Sequence, residues 1–589
     1  MVNSLSHRGP DDSGEYFSER DDVALGHRRL SIIDLSSAGH QPMSNEDKTF
    51  WLTFNGEIYN FQGIRDELVR KGHTFKSNTD SEVILHSYEE WGAKCLNRFN
   101  GMFAFGLWDE TKEQLFLARD RVGIKPLYYT RLNGSFIFGS EPKAIIASDK
   151  YKREMDSPAL ADFLIYRYIS GEKSIWKGLK KLLPGQYLIY DRKEDSTNIF
   201  RYWRLALANT EITETEAIER LDHLLRESVK RRWVSDVPVG IFLSGGLDST
   251  AVTKYSTDIK GDVDTFTIGF ANYADNENED ARLVSEIFGA NYYEEYLSVS
   301  EAGNIEELFK YYDEPIGDSS ILPTFLVSKV ARKKVKVILS GDGGDETLGG
   351  YRWYTDFYKY YNFMPSLAWF FKMLAQVRYR NLGERFLSLS IKDDAALYRQ
   401  LTSPRFSLAE IKDLFPASSQ DLPEDENYLI NEHLSTCQDR YKRFCNLDFH
   451  TFLVDDILTK VDRASMANSL EVRVPFLDYT VVEFLFSLPD SLVLKNGEKK
   501  YLLKQLLKKF VPAKIINKPK KGFSCPLIGQ YLRPEVLAKL LNGRMAKDGF
   551  VVREKLQNLI ENIHSGNNPA KLWLMLVLEI WYKKWYCNE

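Results

Sequence analysis

Two stretches constrain this chain more than any others: "IFLSGGLDSTAV" at residues 241–252 and "VKVILSGDGGDETLGGY" at 335–351. Each is a short apolar run that passes straight into a glycine-rich turn and then into a helix-forming segment. A β-strand that ends this way is half of a parallel βαβ unit. Between the two, strand and helix patterns alternate through "VDTFTIGF", "NENEDARLVSEIFG", "NYYEEYLSV", "IEELFKYYDEP" and "ILPTFLVSKVARK". Residues 234 to about 350 are therefore predicted to form a mostly parallel sheet flanked by helices. In such sheets ligands bind at the carboxyl ends of the strands, where both turns must lie.

The turns differ in chemistry. Ser244, Gly245, Gly246, Leu247, Asp248 and Ser249 offer consecutive backbone N–H groups ahead of a helix, a cradle for phosphate. No Gly-Lys-Ser/Thr follows, so this is not a Walker A loop, and the three spaced glycines of a dinucleotide fingerprint are missing. A plain glycine turn is the competing reading. The second turn, Ser340-Gly341-Asp342-Gly343-Gly344-Asp345-Glu346, adds three carboxylates suited to a Mg²⁺ that accompanies phosphate. Acids at a helix start also serve as ordinary caps. Two turns of matching build favour a nucleotide site. Later, "INKPKKGFSCP" sets Lys518, Lys520 and Lys521 beside Gly522, where lysines can neutralise a leaving phosphate, although a solvated basic run reads the same way. "VDRASMANSLEVRVPFLD" reads as a tightly packed helix that ends near a pocket at Arg473.

The first 200 residues have another texture. Short β-branched and aromatic runs such as "TFWLTFNGEIYN", "EQLFLARDRVGIKPLYYT", "GSFIFGSEP" and "GQYLIYD" alternate with turn residues, and "NFQGIRDELVRKG" and "TDSEVILHSYEEWG" read as helices. This predicts an α+β or layered α/β/β/α domain. Asn55-Gly56-Glu57 sits at a strand end; an Asn amide beside a backbone N–H is the composition of an oxyanion hole. Arg29, Glu57 and Asp80 could clamp the charged ends of an amino acid, or each could be a turn or cap. The charged segment 207–233 has helical periodicity and marks the junction. Beyond Tyr351 the chain is largely helical, and the apolar windows at 367–374 and 572–582 read as buried helices because each carries charge and falls short of a membrane span.

The 589 residues predict two to four domains. With 78 basic and 83 acidic side chains the net charge is -5, which gives no electrostatic case for nucleic acid or an anionic membrane. Five scattered cysteines suit a reduced cytoplasmic protein without disulfides, and nine scattered histidines suggest no metal cluster.

Together, "HRGPDDSG", "HRRLSIIDLSSAGHQPM", "FNGEIYN", "TDSEVIL", "RDRVGIKPLYY", "LSGGLDST", "LSGDGGDETLGGY", "EVRVPFLD" and "KPKKGFSCP" occur in an order that resembles the glutamine-hydrolysing asparagine synthetases, over nearly the full length. The resemblance implies a four-layer αββα N-terminal-nucleophile glutaminase-like domain at 1–200. It further implies an α/β parallel-sheet ATP-pyrophosphatase domain at 207–589 with a helical C-terminal part. It implies ATP and Mg²⁺, small-molecule substrates (aspartate with glutamine or ammonia), a β-aspartyl-AMP intermediate, a cytoplasmic location and a homodimer. Residue by residue, it puts Arg29, Asn55, Gly56, Glu57 and Asp80 at the glutamine site. Leu243, Ser244, Gly245, Gly246, Leu247, Asp248, Ser249, Ile268, Ser340 and Gly341 fall at ATP and pyrophosphate. Asp248 and Asp345 fall at the metal, and Asp342, Asp345 and Lys520 at catalytic positions.

The chain departs from the family at its front. The family's nucleophilic cysteine follows the initiator Met in a Cys-Gly strand ahead of "HRGPD", and here Val2 holds that ordinal place. In that design the thiol works with its own free α-amine, which Cys95 cannot supply. The reading from sequence is thus a domain entered one strand late, with no nucleophile present. Three functions follow: a glutamine-dependent synthetase with a mis-set start, an ammonia-dependent synthetase, or a relative that amidates or cyclises another carboxylate. A non-catalytic dimeric scaffold is the remote alternative, since a scaffold needs none of the phosphate and acid motifs.

Overall fold

The computed structural model describes residues 1–148, 150–271, 273, 275–298, 305–356, 394–402, 405–418, 421–434, 440–519, 528–565 and 568–588. Its N-terminal part is built from β1 (Asp12–Phe17), β2 (Ala24–Arg29), β3 (Met43–Ser44), β4 (Phe50–Ile58), β5 (Gly101–Asp109), β6 (Gln114–Arg119), β7 (Tyr128–Leu132), β8 (Ser135–Gly139), β9 (Lys180–Lys181), β10 (Gln186–Asp191) and β11 (Ser196–Arg201). One antiparallel sheet runs β11-β10-β6-β5-β4-β3; β1-β2 and β8-β7-β9 form two smaller sheets.

The period-two alternation of β5 explains the layering. Phe103, Phe105 and Leu107 point to one face, where they share a core with helices α1 (Phe61–Arg70) and α2 (Asp80–Trp91). Ala104 and Trp108 point to the other, against Leu25 of β2 and Tyr129 of β7. On the outer side of β8 lies α3 (Pro142–Ile146), so close that a Cβ at Gly139 would sit 3.2 Å from Ala144 Cβ. Helix, sheet, sheet and helix thus stack in the predicted order. β1, β3, β5, β9 and β11 are not apparent as separate runs in the sequence.

After α4 (Ser157–Tyr166), helix α5 (Glu214–Arg232) opens the second part with a capping box in which Thr213 and Glu216 satisfy each other's backbone N–H groups. A parallel sheet follows, ordered β14-β13-β12-β15-β16, from β12 (Val239–Phe242), β13 (Asp264–Phe270), β14 (Asn291–Leu297), β15 (Val337–Leu339) and β16 (Glu471–Arg473). The crossovers include α6 (Leu247–Lys260), α7 (Asn278–Phe288), α8 (Ile305–Leu308) and α9 (Ile321–Arg332), and α10 (Gly344–Leu348) leaves the second glycine turn.

Two sequence expectations change. The segment "EVR", read as the end of a helix, is edge strand β16 beside β15; the helix ahead of it spans Thr459–Met466. The helix expected through "IEELFKYYDEP" stops at Leu308, because Asp313 and Glu314 are drawn away. Asp313 accepts from Lys143 N at 2.7 Å, and Glu314 from Ile175 N at 3.0 Å. All but the last residue of the apolar stretch 572–582 lies in a buried helix, Asn568–Trp581, whose Trp581 donates to Asp313 O at 3.0 Å. The window 367–374 falls outside the described residues. Among the described residues no helix is long and apolar enough to cross a membrane.

Buried polar groups join the two parts. The guanidinium of Arg8, in the "HRGPD" turn, grips Asp462 through two bonds of 2.7 and 2.9 Å and Glu141 through one of 2.6 Å. Arg473 of β16 meets Glu57 of β4 at 2.9 Å. Asn100 Nδ2 donates to Asp478 at 3.1 Å.

Candidate functional site

β12 and β15 are hydrogen-bonded neighbours with Ile241 opposite Leu339, so their glycine turns emerge side by side at the carboxyl edge. The fit leaves no room for side chains. A Cβ on Gly341 would lie 2.8 Å from Asp248 Cβ, and one on Gly344 2.6 Å from Asp248 Cγ. Within the first turn the hydroxyls brace the backbone: Ser249 Oγ accepts from Ser244 N at 3.3 Å and stands 3.1 Å from Ser244 Oγ. Leu243 is tied to β13 by its N–H to Phe266 O at 3.0 Å and by its carbonyl, which accepts from Thr267 Oγ1. Ile268 lies two residues past Phe266, on the same carboxyl side. α6 begins at Leu247, so Asp248 sits in its first turn.

The acids divide into distinct roles. Asp248 and Asp345 converge on the ammonium of Lys500, which contacts Asp248 Oδ2 and lies 2.6 Å from Asp345 Oδ1. Lys500 is buried at the start of helix Tyr501–Leu507 in a left-handed conformation, φ 53°. Gly350 is required beside it, since a Cβ there would fall 1.8 Å from Asp345 Oδ1. Asp342 accepts from Ser340 Oγ. Asp342 also faces Lys460; burial works against that ammonium's charge, yet Asp318 and then Asp342 raise its proton affinity. Glu346 turns inward to the Tyr351 hydroxyl, and burial together with Asp345 pushes it up to about 8, so it stands apart from the other two acids.

Lys518 reaches the first turn, donating to Ser244 O at 3.2 Å while pairing with Glu277 at 2.8 Å. Lys520, Lys521 and Gly522 lie outside the described residues. Lys500 and Lys460 are the residues that sequence reasoning missed. Lys500 sits in "GEKKYLLK" and Lys460 in "LTKVDRAS", where nothing sets either lysine apart from a surface one.

In the N-terminal part, Arg29, Asn55, Gly56, Glu57 and Asp80 all line a single cavity of about 920 Å³. Gly56 has φ 146° and a Cβ there would strike Met102 O at 2.0 Å, which fixes the end of β4 against β5. Among the described residues the Asn55 amide nitrogen has no hydrogen-bond partner, leaving a donor for the cavity. Asp80 starts α2 and accepts from Ile58 N at 2.8 Å; burial nonetheless pushes its carboxyl up to about 7.

Arg29 and Glu57 each hold protein partners at this cavity. Arg29 spends its guanidinium on the carbonyls of Ile33, Asp34 and Ser36. Glu57 is committed to Arg473, and its carboxyl is raised above the ordinary range by burial, against the pull of that arginine.

Met1, Val2 and Leu5 line the same cavity, with residues Val2–Leu5 forming one tight turn. Val2 packs on Gly26, where a Cβ would meet Val2 Cγ2 at 2.3 Å. Among the described residues no cysteine lines the cavity. Cys95 is fully buried in the core between α2 and the sheet, and burial raises its thiol far above the reactive range.

Fold and site define a class: a glutaminase-like αββα layer joined to an ATP-pyrophosphatase-like parallel sheet. The glutamine amidotransferase domain family matches residues 1–203 and the asparagine synthase family residues 220–583. The chain belongs to the glutamine-hydrolysing asparagine synthetase family. "Asparagine synthetase [glutamine-hydrolyzing] 1" of Bacillus subtilis is 32% identical over 607 residues, covering 99% of this chain and 92% of that protein. "Asparagine synthetase [glutamine-hydrolyzing] 3" of the same organism is 32% identical over 551 residues, 89% of this chain and 83% of that one. "Amidase chyE" of Penicillium rubens is 29% identical over 632 residues, 96% and 91% of the two chains.

Proposed function

We propose that this protein makes asparagine from aspartate at the expense of ATP. The observation that carries the reading is the nested pair of glycine turns, with Asp248 and Asp345 converging on Lys500 between them. In this assignment the N–H groups of Ser244, Gly245, Gly246, Leu247, Asp248 and Ser249 receive the phosphates, with Leu243, Ser340 and Gly341 walling the site and Ile268 beside the adenine. The aspartate side-chain carboxylate attacks the α-phosphorus of ATP, pyrophosphate leaves, and ammonia then displaces AMP from the mixed anhydride. Lys500, Lys518 and Lys520 neutralise the departing pyrophosphate. Asp342 and Asp345 are the acids assigned to catalysis.

Asp248 and Asp345 also present hard carboxylate oxygens to one point already occupied by a cationic group, a donor set that suits Mg²⁺. A bound Mg²⁺ supplies charge neutralisation on the phosphate oxygens. The glutamine assignment rests on the shared cavity of Arg29, Asn55, Gly56, Glu57 and Asp80, with Asn55 Nδ2 and the Gly56 N–H as oxyanion donors. Ammonia is the nitrogen that enters the last step, supplied by glutamine hydrolysis in the family's intact form; free ammonium as the sole source is the alternative. We assign the domains to 1–200 and 207–589, the working form to a homodimer and the location to the cytoplasm.

The test supplies purified protein with ATP, Mg²⁺ and aspartate plus either ammonium or glutamine, and measures asparagine, AMP and pyrophosphate. Ammonium is expected to give all three products in equal amounts, and the glutamine arm separates the glutamine-dependent reading from the ammonia-dependent alternative. Absence of asparagine with ammonium would overturn the acceptor assignment; glutamate release matched to asparagine supports glutamine as nitrogen source, and its absence leaves the ammonia-dependent alternative.

A further inference from the structure

Away from both sites, the helical hairpin α1–α2 brings together two histidines that are 13 positions apart in sequence. His86 and Glu89 lie three residues apart on one face of α2, near its C-terminal end. His73 comes from the connection after α1, where its position is fixed by the backbone. Gly72 (φ 105°) donates to Val69 O at 3.0 Å and His73 N donates to Leu68 O at 3.1 Å, a paired helix-ending pattern that holds His73 against α2. The two imidazole rings are 5.2 Å apart. One ligand atom from each of His73, His86 and Glu89 lies within 4.8 Å of the others.

The orientation of these groups is more telling than their proximity. Glu89 Oε2 is 2.6 Å from His86 Nδ1 and 3.4 Å from His73 Nδ1, so two nitrogens and one oxygen face a common point. The other oxygen of Glu89 is held by Asn45 Nδ2 at 2.6 Å, and Asn45 is itself fixed by the N–H of Phe50 at 3.0 Å. The far nitrogen of each ring looks at carboxylates. His73 Nε2 is 3.3 Å from Glu90, and His86 Nε2 is 3.8 Å from Glu46 and 3.9 Å from Glu82. Outer carboxylates behind metal-bound imidazoles set ring orientation and raise ligand basicity. His86 is buried while His73 and Glu89 are partly open, so a cation can enter from solvent and keep a water.

We infer that His73, His86 and Glu89 form a binding site for a divalent transition metal of the zinc class, which ties the α1–α2 connection to α2. Two imidazoles and one carboxylate with an open position suit Zn²⁺ or Co²⁺ and disfavour Mg²⁺ or Ca²⁺, which prefer all-oxygen sets. Asp80 begins the same helix less than two turns away, so the ion would stiffen the element that carries a cavity carboxylate.

The experiment strips full-length protein with chelator, then titrates Co²⁺ while recording visible absorption, with Zn²⁺ competition to displace it. One Co²⁺ per chain with the intense bands of low-coordinate cobalt, displaced by one Zn²⁺, is expected. His73→Ala and Glu89→Gln are each expected to weaken Zn²⁺ at least about tenfold. Both residues are partly exposed, and unchanged far-ultraviolet circular dichroism will verify folding; if His73→Ala fails to fold, His73→Gln takes its place. Stoichiometric binding that survives both substitutions, or no binding of Zn²⁺ at micromolar concentration, would overturn the site.

Discussion

Replacing Arg8 with Met would test whether the "HRGPD" turn acts as the bolt between the two parts of the molecule. Arg8 is buried, and its charge is held against desolvation by Asp462 and Glu141. Glu141 keeps Arg463 at 2.6 Å and Lys143 at 2.5 Å, so Asp462, left with only the fields of Lys125 and Arg463, is the group that loses its bonded partner. Asp462 has an ordinary pKa of 3.8 that burial would raise; Arg8 instead holds it lower. Without Arg8, the carboxyl can escape an uncompensated charge by taking a proton. At pH 7 that costs about 1.36 kcal/mol for each of roughly 3.2 pH units, or about 4 kcal/mol. Breaking buried ion pairs by removing one partner costs about 3–5 kcal/mol, which agrees.

The sign follows from linkage. A depressed folded pKa contributes stability above the unfolded value and loses it as pH falls. The loss in Arg8→Met should therefore be full at pH 7 and shrink toward pH 4, where Asp462 protonates freely. Urea unfolding at both pH values, followed by tryptophan fluorescence, reads this directly. The double variant Arg8→Met/Asp462→Met should recover most of the loss, because an apolar pair strands no charge. A single variant that loses under 1 kcal/mol, or a double variant no better than the single, would refute the argument.

Other outcomes follow from the same geometry. Lys500→Met should lower ammonia-dependent pyrophosphate release by about 10²–10³-fold, the usual cost of removing one preorganised charge-stabilising group; near wild-type release would remove Lys500 from the chemistry. Gly344→Ala puts a Cβ 2.6 Å from Asp248 Cγ. That overpacking should destabilise by about 1–3 kcal/mol, and its failure to lower the melting temperature would mean the turns are not nested. Asp80 is raised to about 7 in the folded state, so the folded chain holds a proton that the unfolded chain releases near 3.8. Stability should fall with pH across that window. Asp80→Asn should remove Asp80's share of the slope, leaving that of Glu57 and Glu346, and gain up to about 4 kcal/mol relative to the parent by pH 8, read by denaturant midpoints against pH.

What was legible in the sequence was local. A strand that runs into glycines announces its own turn, so β12, β15 and both glycine loops could be placed from a dozen residues each. The chemistry that completes the site could not, because it is set by long-range packing. Lys500 reaches Asp248 across 252 positions, and its sequence context is that of any surface lysine. β16 is three residues long and follows a helix, so periodicity hid it; only pairing with β15 makes it a strand. The early stop at Leu308 has the same origin, since Asp313 and Glu314 cap groups in the N-terminal part rather than continue a helix. The residues proposed for the glutamine site were read as separate local motifs. That Glu57 would be claimed by Arg473 depends on an interface no single motif contains.

The late arrival of β16 also bears on how the chain is made. Val337 of β15 pairs on one side with β12, which precedes it, but on the other with Glu471. While the ribosome is still adding the residues between, β15 is an edge strand of three buried apolar residues with open backbone groups, the kind of edge that pairs with other chains. The clasp of Arg8 on Asp462 likewise waits until the chain has grown by 454 residues. Assembly of the two parts is therefore a late event, dominated by distant contacts and correspondingly slow. Newly made chains should depend on chaperone protection until residue 473 has emerged, and slower translation of the stretch before it should increase aggregation.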